Sequence, residues 1–275
     1  MTEVGISDIA AALRRLGVQG GDTVMYHGSM KSMGHVNGGA AALIDGVLAS
    51  APEVTAAMAT LWYDGHPENF REQDFDLRNS PAWNGAMAEA MRKDPRSVRS
   101  RHWTHSVSAV GPRAVELTAG HGLGKRYPTP WSEAAFSEIS PWSRLYEWNA
   151  LYVFFGVTMR CCTMKHWIES RYVAAFLEQF PPEKYTEKRN ELMHECKPGI
   201  RFLFNAEPFQ KHLEEAGLVV RTTLGDAQVL AIRTRVLVDE TMRALAAEPE
   251  KYFPEEFVAW MNRNRKELAK PDSKA

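Results

Sequence analysis

The chain has 275 residues, with 33 basic and 34 acidic side chains, a formal net charge of −1 and 44% hydrophobic residues. That length fits one large α/β domain or two small ones, and the balanced charge gives no global field to draw in nucleic acid or an anionic membrane. Cys161, Cys162 and Cys196 are too few for a disulfide framework and lack paired metal-ligand spacing, so no metal is expected and the reducing cytoplasm is the expected compartment.

Residues 1–10 carry no basic segment of the secretory kind, and the longest apolar run, residues 150–157, is too short to span a bilayer. Ser7 reads as the N-cap of a first helix, with Ile9, Leu13 and Leu16 on one face and Gly17 as its stop. Residues 23–27 form a strand ending in His27, followed by a loop to Gly39, a helix over 40–49 and a buried strand over 54–62. Strand, Gly-rich loop, helix and strand define an α/β unit with ligand-binding loops at the strand ends. Residues 64–84 read as a surface excursion, 85–92 as a helix, and 96–111 as a basic segment that turns into a strand. Residues 150–155 are continuously apolar and β-prone, which predicts a central strand. A helix over 163–180 stops at Pro181-Pro182. A helix over 209–218, a hairpin through Gly225 and helices over 234–246 and 255–268 complete the chain. Residues 1–269 are expected to form a single domain, with 270–275 as a flexible tail.

The helix after the central strand carries Thr163, His166 and Glu169 one turn apart, hence on one face. A histidine near neutrality suits a general base, and an amine nucleophile needs one because alkyl ammonium groups, pKa ~10, are mostly protonated at pH 7. On spacing alone Thr163 reads equally as a helix cap or a donor, and Glu169 as the orienter of His166 or a solvated helix residue. Residues 29–39 open the helix over 40–49, whose N-terminus favours anions. Arg99, Ser100 and Arg101 suit phosphate, since guanidinium forks match its oxygens; an ordinary turn and a solvated basic edge explain the same two segments.

Five segments stand in register. They are His27-Gly28-Ser29-Met30-Lys31-Ser32 with Gly38-Gly39; Asn79-Ser80-Pro81 with the helix after Gly85; Arg99-Ser100-Arg101-His102-Trp103-Thr104-His105-Ser106; Ser140-Pro141; and Gly156 through Thr163, His166 and Glu169. Together they resemble the aminoglycoside 3-N-acetyltransferase family. The resemblance implies a central mixed sheet flanked by helices, the antibiotic N-acetyltransferase type of α/β fold rather than a GCN5-like one. It also implies acetyl-CoA as the acetyl donor, a small-molecule amine as acceptor and His166 as the catalytic histidine, with Thr163 and Glu169 beside it. Ser29, Met30, Lys31, Ser32, Arg99, Ser100, Arg101, His105 and Ser106 become candidates for coenzyme A contacts. Glu207, Asp64 and Arg160 become candidates for the substrate side.

The chain departs from the family pattern in two places. Arg160 stands where many members carry aspartate, and no acidic pair can be placed between residues 195 and 207. The expected function is therefore N-acetylation of an antibiotic-like amine, with a biosynthetic enzyme acting on an antibiotic precursor, such as an aminoalkyl nucleotide or phosphonate, as the competing reading. A non-catalytic coenzyme A or small-molecule binding protein is a third. Direct transfer is expected over an acetyl-cysteine at Cys161 or Cys162. A homodimer stays open as the assembly.

Overall fold

A computed structural model describes residues 2–62, 71–195 and 205–268. The N-terminal half runs β1 (Glu3–Val4), α1 (Ile6–Arg15), β2 (Thr23–Gly28), β3 (His35–Val36), α2 (Gly39–Leu48), β4 (Thr55–Ala59) and α3 (Ala86–Lys93). Then come β5 (Val98–Arg99), β6 (Val107–Val110), α4 (Ala114–Thr118), α5 (Pro141–Glu147) and β7 (Leu151–Phe155). The rest is α6 (Met164–Leu177), α7 (Pro182–Glu195), α8 (Ala206–Glu215), β8 (Val220–Leu224), β9 (Ala227–Arg233), α9 (Thr234–Ala247), α10 (Pro249–Tyr252) and α11 (Glu255–Leu268).

Seven strands make one mixed sheet in the order β5-β6-β4-β2-β7-β9-β8. β2 runs parallel to both β4 and β7, while β6, β9 and the edge strands pair antiparallel. The chain leaves β2 first toward β4 and later returns on the other side as β7. Such a reversal opens a crevice outside the carboxyl ends of the strands, where α/β proteins bind ligands. Both faces are covered, which explains why β7 reads as an unbroken apolar run rather than an alternating one. Val153 and Phe155 face a core with Ile9, Leu43 and Met87, whereas Tyr152 and Phe154 face one with Trp142, Ile168 and Trp260.

The helices depart from the sequence expectation in informative ways. α1 starts at Ile6, and Asp8 Oδ2 accepts the Gly5 N–H at 2.8 Å in place of a Ser7 cap. Pro182 does not merely stop α6; it opens α7, where its missing N–H and fixed φ are no handicap. The basic segment is two short strands closed by a turn, with the Ser100 N–H bonded to the Val107 carbonyl at 2.8 Å. β4 ends at Ala59 because Thr60 turns to bond Ser106 and Ser108. No helix among the described residues is long and apolar enough to cross a membrane. The expected tail, 270–275, and the domain limit at 269 lie outside the described residues.

Candidate active site

The carboxyl ends of β2, β4 and β7 meet at a cavity of about 150 Å³ lined by His27, Gly28, Asn84, Val157, Cys161 and Thr163, among others. Asn84 holds the end of β4 open, donating to the Ala59 carbonyl at 2.8 Å and accepting from the Leu61 N–H at 3.0 Å. Val157 also lines a larger cavity of about 470 Å³ on the β8–β9 side, together with Ser32, Gly156 and Gln210. Gly156 is needed where the two loops cross. Its φ is +62°, and a Cβ there would lie 1.9 Å from Ser32 Oγ.

α6 starts at the smaller cavity. Its first turn is tied to the sheet by Tyr152, whose hydroxyl meets His27 Nε2 at 2.8 Å and accepts the Met164 N–H at 3.4 Å. Thr163 occupies the cap position but its hydroxyl makes no capping bond, so the side chain is left lining the cavity. One turn on, His166 Nδ1 lies 2.7 Å from Glu169 Oε2; the two side chains are 14% and 2% exposed. That burial removes the solvated-helix explanation of Glu169. With the carboxylate at Nδ1, the ring proton sits there and Nε2 carries the lone pair. Burial, with the Lys165 ammonium nearby, pulls His166 below its ordinary value, and the Glu169 carboxylate opposes that pull. The imidazole is therefore neutral at pH 7. His105, Trp131 and Phe136 box the ring, with centroids at 6.0, 5.5 and 6.2 Å.

The other expected contacts divide. Ser29, Met30, Lys31 and Ser32 form the turn after β2, Lys31 exposed and the others half-buried, with Ser32 Oγ donating to the Ser29 carbonyl at 2.7 Å. Arg99, Ser100, His105 and Ser106 instead turn inward. Arg99 donates to Ser106 Oγ, the Ser80 carbonyl and the Thr60 carbonyl at 3.0, 2.6 and 2.7 Å. Ser100 Oγ bonds His121 Nδ1 at 2.9 Å and accepts from the Val107 N–H. His105 Nδ1 meets Thr104 Oγ1 at 2.8 Å, and Ser106 Oγ donates to the Thr60 carbonyl at 2.6 Å. Through these bonds the four tie neighbouring loops together; of that segment only Arg101 remains exposed.

On the expected substrate side, Arg160 is exposed in a 3-10 turn and lines neither cavity, and Glu207 is exposed at the start of α8. Asp64 lies outside the described residues. The sequence reading missed His27, Asn84 and the stack of His102 on His121, centroids 4.8 Å apart. His27 stood in a quoted motif, and its place at a strand end was the available signal; His121, remote in sequence, gave none.

Cys161 lines the smaller cavity, while Cys162 is buried and its thiol is pushed up to about 11 by desolvation. A thiol held protonated is a poor nucleophile. Mass spectrometry after incubation with acetyl-CoA alone is expected to show unmodified protein. An adduct on either cysteine that disappears on adding amine would establish a covalent carrier.

A mixed α/β sheet with a carboxylate-oriented histidine at its switch point defines the class, and comparisons with known proteins give the family. The family model described as aminoglycoside 3-N-acetyltransferase matches residues 25–246, and the chain belongs to that family. It is 32% identical over 178 residues to aminoglycoside N(3)-acetyltransferase VII of Streptomyces paromomycinus, covering 59% of this chain and 59% of the relative's length. Among solved structures, aminoglycoside acetyltransferase AAC(3)-Xa superposes with a TM-score of 0.67 at 22% identity, covering 88% of this chain and 93% of that one. AAC-IIIb in a binary complex with CoASH gives 0.67 at 18% identity, covering 92% and 99%.

Proposed function

We propose that this chain transfers the acetyl group of acetyl-CoA directly to a primary amine of a small antibiotic-like molecule, with His166 as general base. The observation that carries the reading is the buried His166–Glu169 pair, 2.7 Å apart, one turn beyond Thr163, which lines the cavity. Acetyl-CoA supplies a thioester whose C–S bond breaks as the C–N bond forms. His166 Nε2 takes the amine proton, and Glu169 stabilises the imidazolium that results. Thr163 is placed to donate to the developing oxyanion or to the departing sulfur. Ser29 to Ser32 and Arg101 are the contacts we assign to coenzyme A. A cytoplasmic location is consistent with the free Cys161 and Cys162 thiols.

The substrate's charge is the finer question. Relatives named for aminoglycosides suggest a polycation, which gains affinity where free carboxylates converge. Among the described residues, several carboxylates of the larger cavity and of the excursion are engaged. Glu214 pairs with Arg221 at 2.6 Å, and Asp226 accepts from Thr2 at 2.5 Å. Asp76 accepts backbone N–H groups of Arg78 and Asn79, and Asp74 pairs with Arg71 at 2.8 Å. This favours the biosynthetic reading, acetylation of a neutral or anionic precursor amine such as an aminoalkyl nucleotide or phosphonate. Steady-state kinetics over a panel of both amine types, at low and high salt, tests it. Turnover confined to the uncharged or phosphorylated amines is expected, and efficient aminoglycoside turnover that collapses with salt would overturn it.

A further inference from the structure

Outside the catalytic cavities, the β5 edge of the sheet carries a cavity of about 540 Å³ lined by Leu77, Arg78, Asn79, Arg92, Lys93, Ser97, Val98 and Arg99. Four of these are cationic and none is acidic. Arg92 and Lys93 have local reasons to be there. Both pair with Glu89, at 2.6 and 3.2 Å, and both sit in the last turn of α3, where the helix dipole favours cations.

Arg99 has no such reason. It is 9% exposed, and its guanidinium donates only to neutral acceptors while lying 4.8 Å over the Phe75 ring. Among the described residues no carboxylate is within ion-pair distance of it. Glu89 is the carboxylate whose charge reaches Arg99, and it already pairs with Arg92 and Lys93, so the cations lining the cavity outnumber it. Ser97 Oγ, also lining it, is shielded from solvent and has no hydrogen-bond partner. An anion with several acceptor oxygens would answer both deficiencies.

We propose that this cavity binds a phosphate-bearing small molecule, at a place separate from the coenzyme A contacts. The separation follows from topology. Ser32, at the end of the turn after β2, lines the cavity on the β8–β9 side, whereas β5 lies three strands from β2 on the opposite side, roughly 14 Å at ordinary strand spacing. The two regions still communicate, since Arg99 holds the Thr60 carbonyl beside Leu61, which lines the catalytic cavity. The phosphate can therefore belong to the tail of the amine substrate or to an independent ligand.

Calorimetric titration with inorganic pyrophosphate, with and without saturating coenzyme A, tests the site without any turnover, so its outcome is independent of the acetylation reading. The expected result is one saturable site that persists with coenzyme A bound. It weakens by at least ~10-fold when the two most exposed cations are removed together, Arg78→Ala with Lys93→Ala, because charge-assisted contacts to the anion are lost. Leaving Arg99 in place avoids confusing binding with folding. Competition between pyrophosphate and amine in the kinetics would make the ligand the substrate's own tail; no competition would make it independent. The absence of saturable binding, unchanged affinity in the double variant, or displacement by coenzyme A would each overturn the proposal.

Discussion

Replacing His166 with alanine is expected to lower turnover on any accepted amine by at least ~10², the usual contribution of a positioned base, while coenzyme A still binds. The ring is oriented through Nδ1 by Glu169, and the cavity is lined by other side chains, so truncation removes the proton acceptor without altering the cavity walls. Glu169→Gln separates the two functions of the pair. The amide oxygen can still accept the Nδ1 proton, but the charge that stabilises the imidazolium is gone, so a loss smaller than that of the alanine variant is expected. Because His166 is held neutral, wild-type activity is expected to stay base-competent below pH 6.5, down to the pH at which the fold itself is lost. Near-normal kcat in the alanine variant would remove His166 from the chemistry.

The second large effect is on stability. His27 and His121 are pulled down by burial to about 4, and burial also holds His102 and His105 well below the ordinary value of 6.5. Between the folded and unfolded values, the unfolded chain binds protons that the native state refuses. Stability is thus fully present above about pH 6.5 and is lost as pH falls toward 4. Each such imidazole contributes about 1.4 kcal/mol per pH unit across that window, so two to four of them give roughly 3 to 6 kcal/mol per unit. Against a typical total of about 5–15 kcal/mol, this predicts acid unfolding near pH 5. The stabilising carboxylates do not explain a loss so early, because Glu89 and Glu267, held down to about 2 by their cationic partners, lose their contribution only below the ordinary value of 4.5. Thermal unfolding from pH 8 to 4 should show a level Tm above pH 7 and a steep fall below 6.5. A Tm unchanged down to pH 4.5 would contradict the account.

Local pattern carried the alternation of strands and helices, because β7 is a long apolar run and α6 follows it with chemistry-bearing residues at helical spacing. The role of Glu169 was not legible locally. α6 buries residues on nearly every side, so no amphipathic stripe marks which polar group points inward. The segment around Arg99 was read as a basic edge open to phosphate. Only the antiparallel pairing of β6 with both β5 and β4, which brings Ser106 and the Thr60 carbonyl to the guanidinium, shows that this arginine faces inward. His102 and His121 meet through a chain reversal of nearly twenty residues, which no periodicity records. Pro181-Pro182 signals a break, and the same sterics that end one helix permit the start of the next.

The central claim is amine acetylation by a histidine base, and thiol release from acetyl-CoA tests it most directly. The assay compares wild type with His166→Ala on one accepted amine. Coenzyme A release that depends on the amine, matches acetyl-amine formation one for one and falls at least ~10²-fold in the variant is the predicted result. Failure of every amine to stimulate thiol release from wild type, with coenzyme A bound all the same, would make the chain a binding protein and contradict the account.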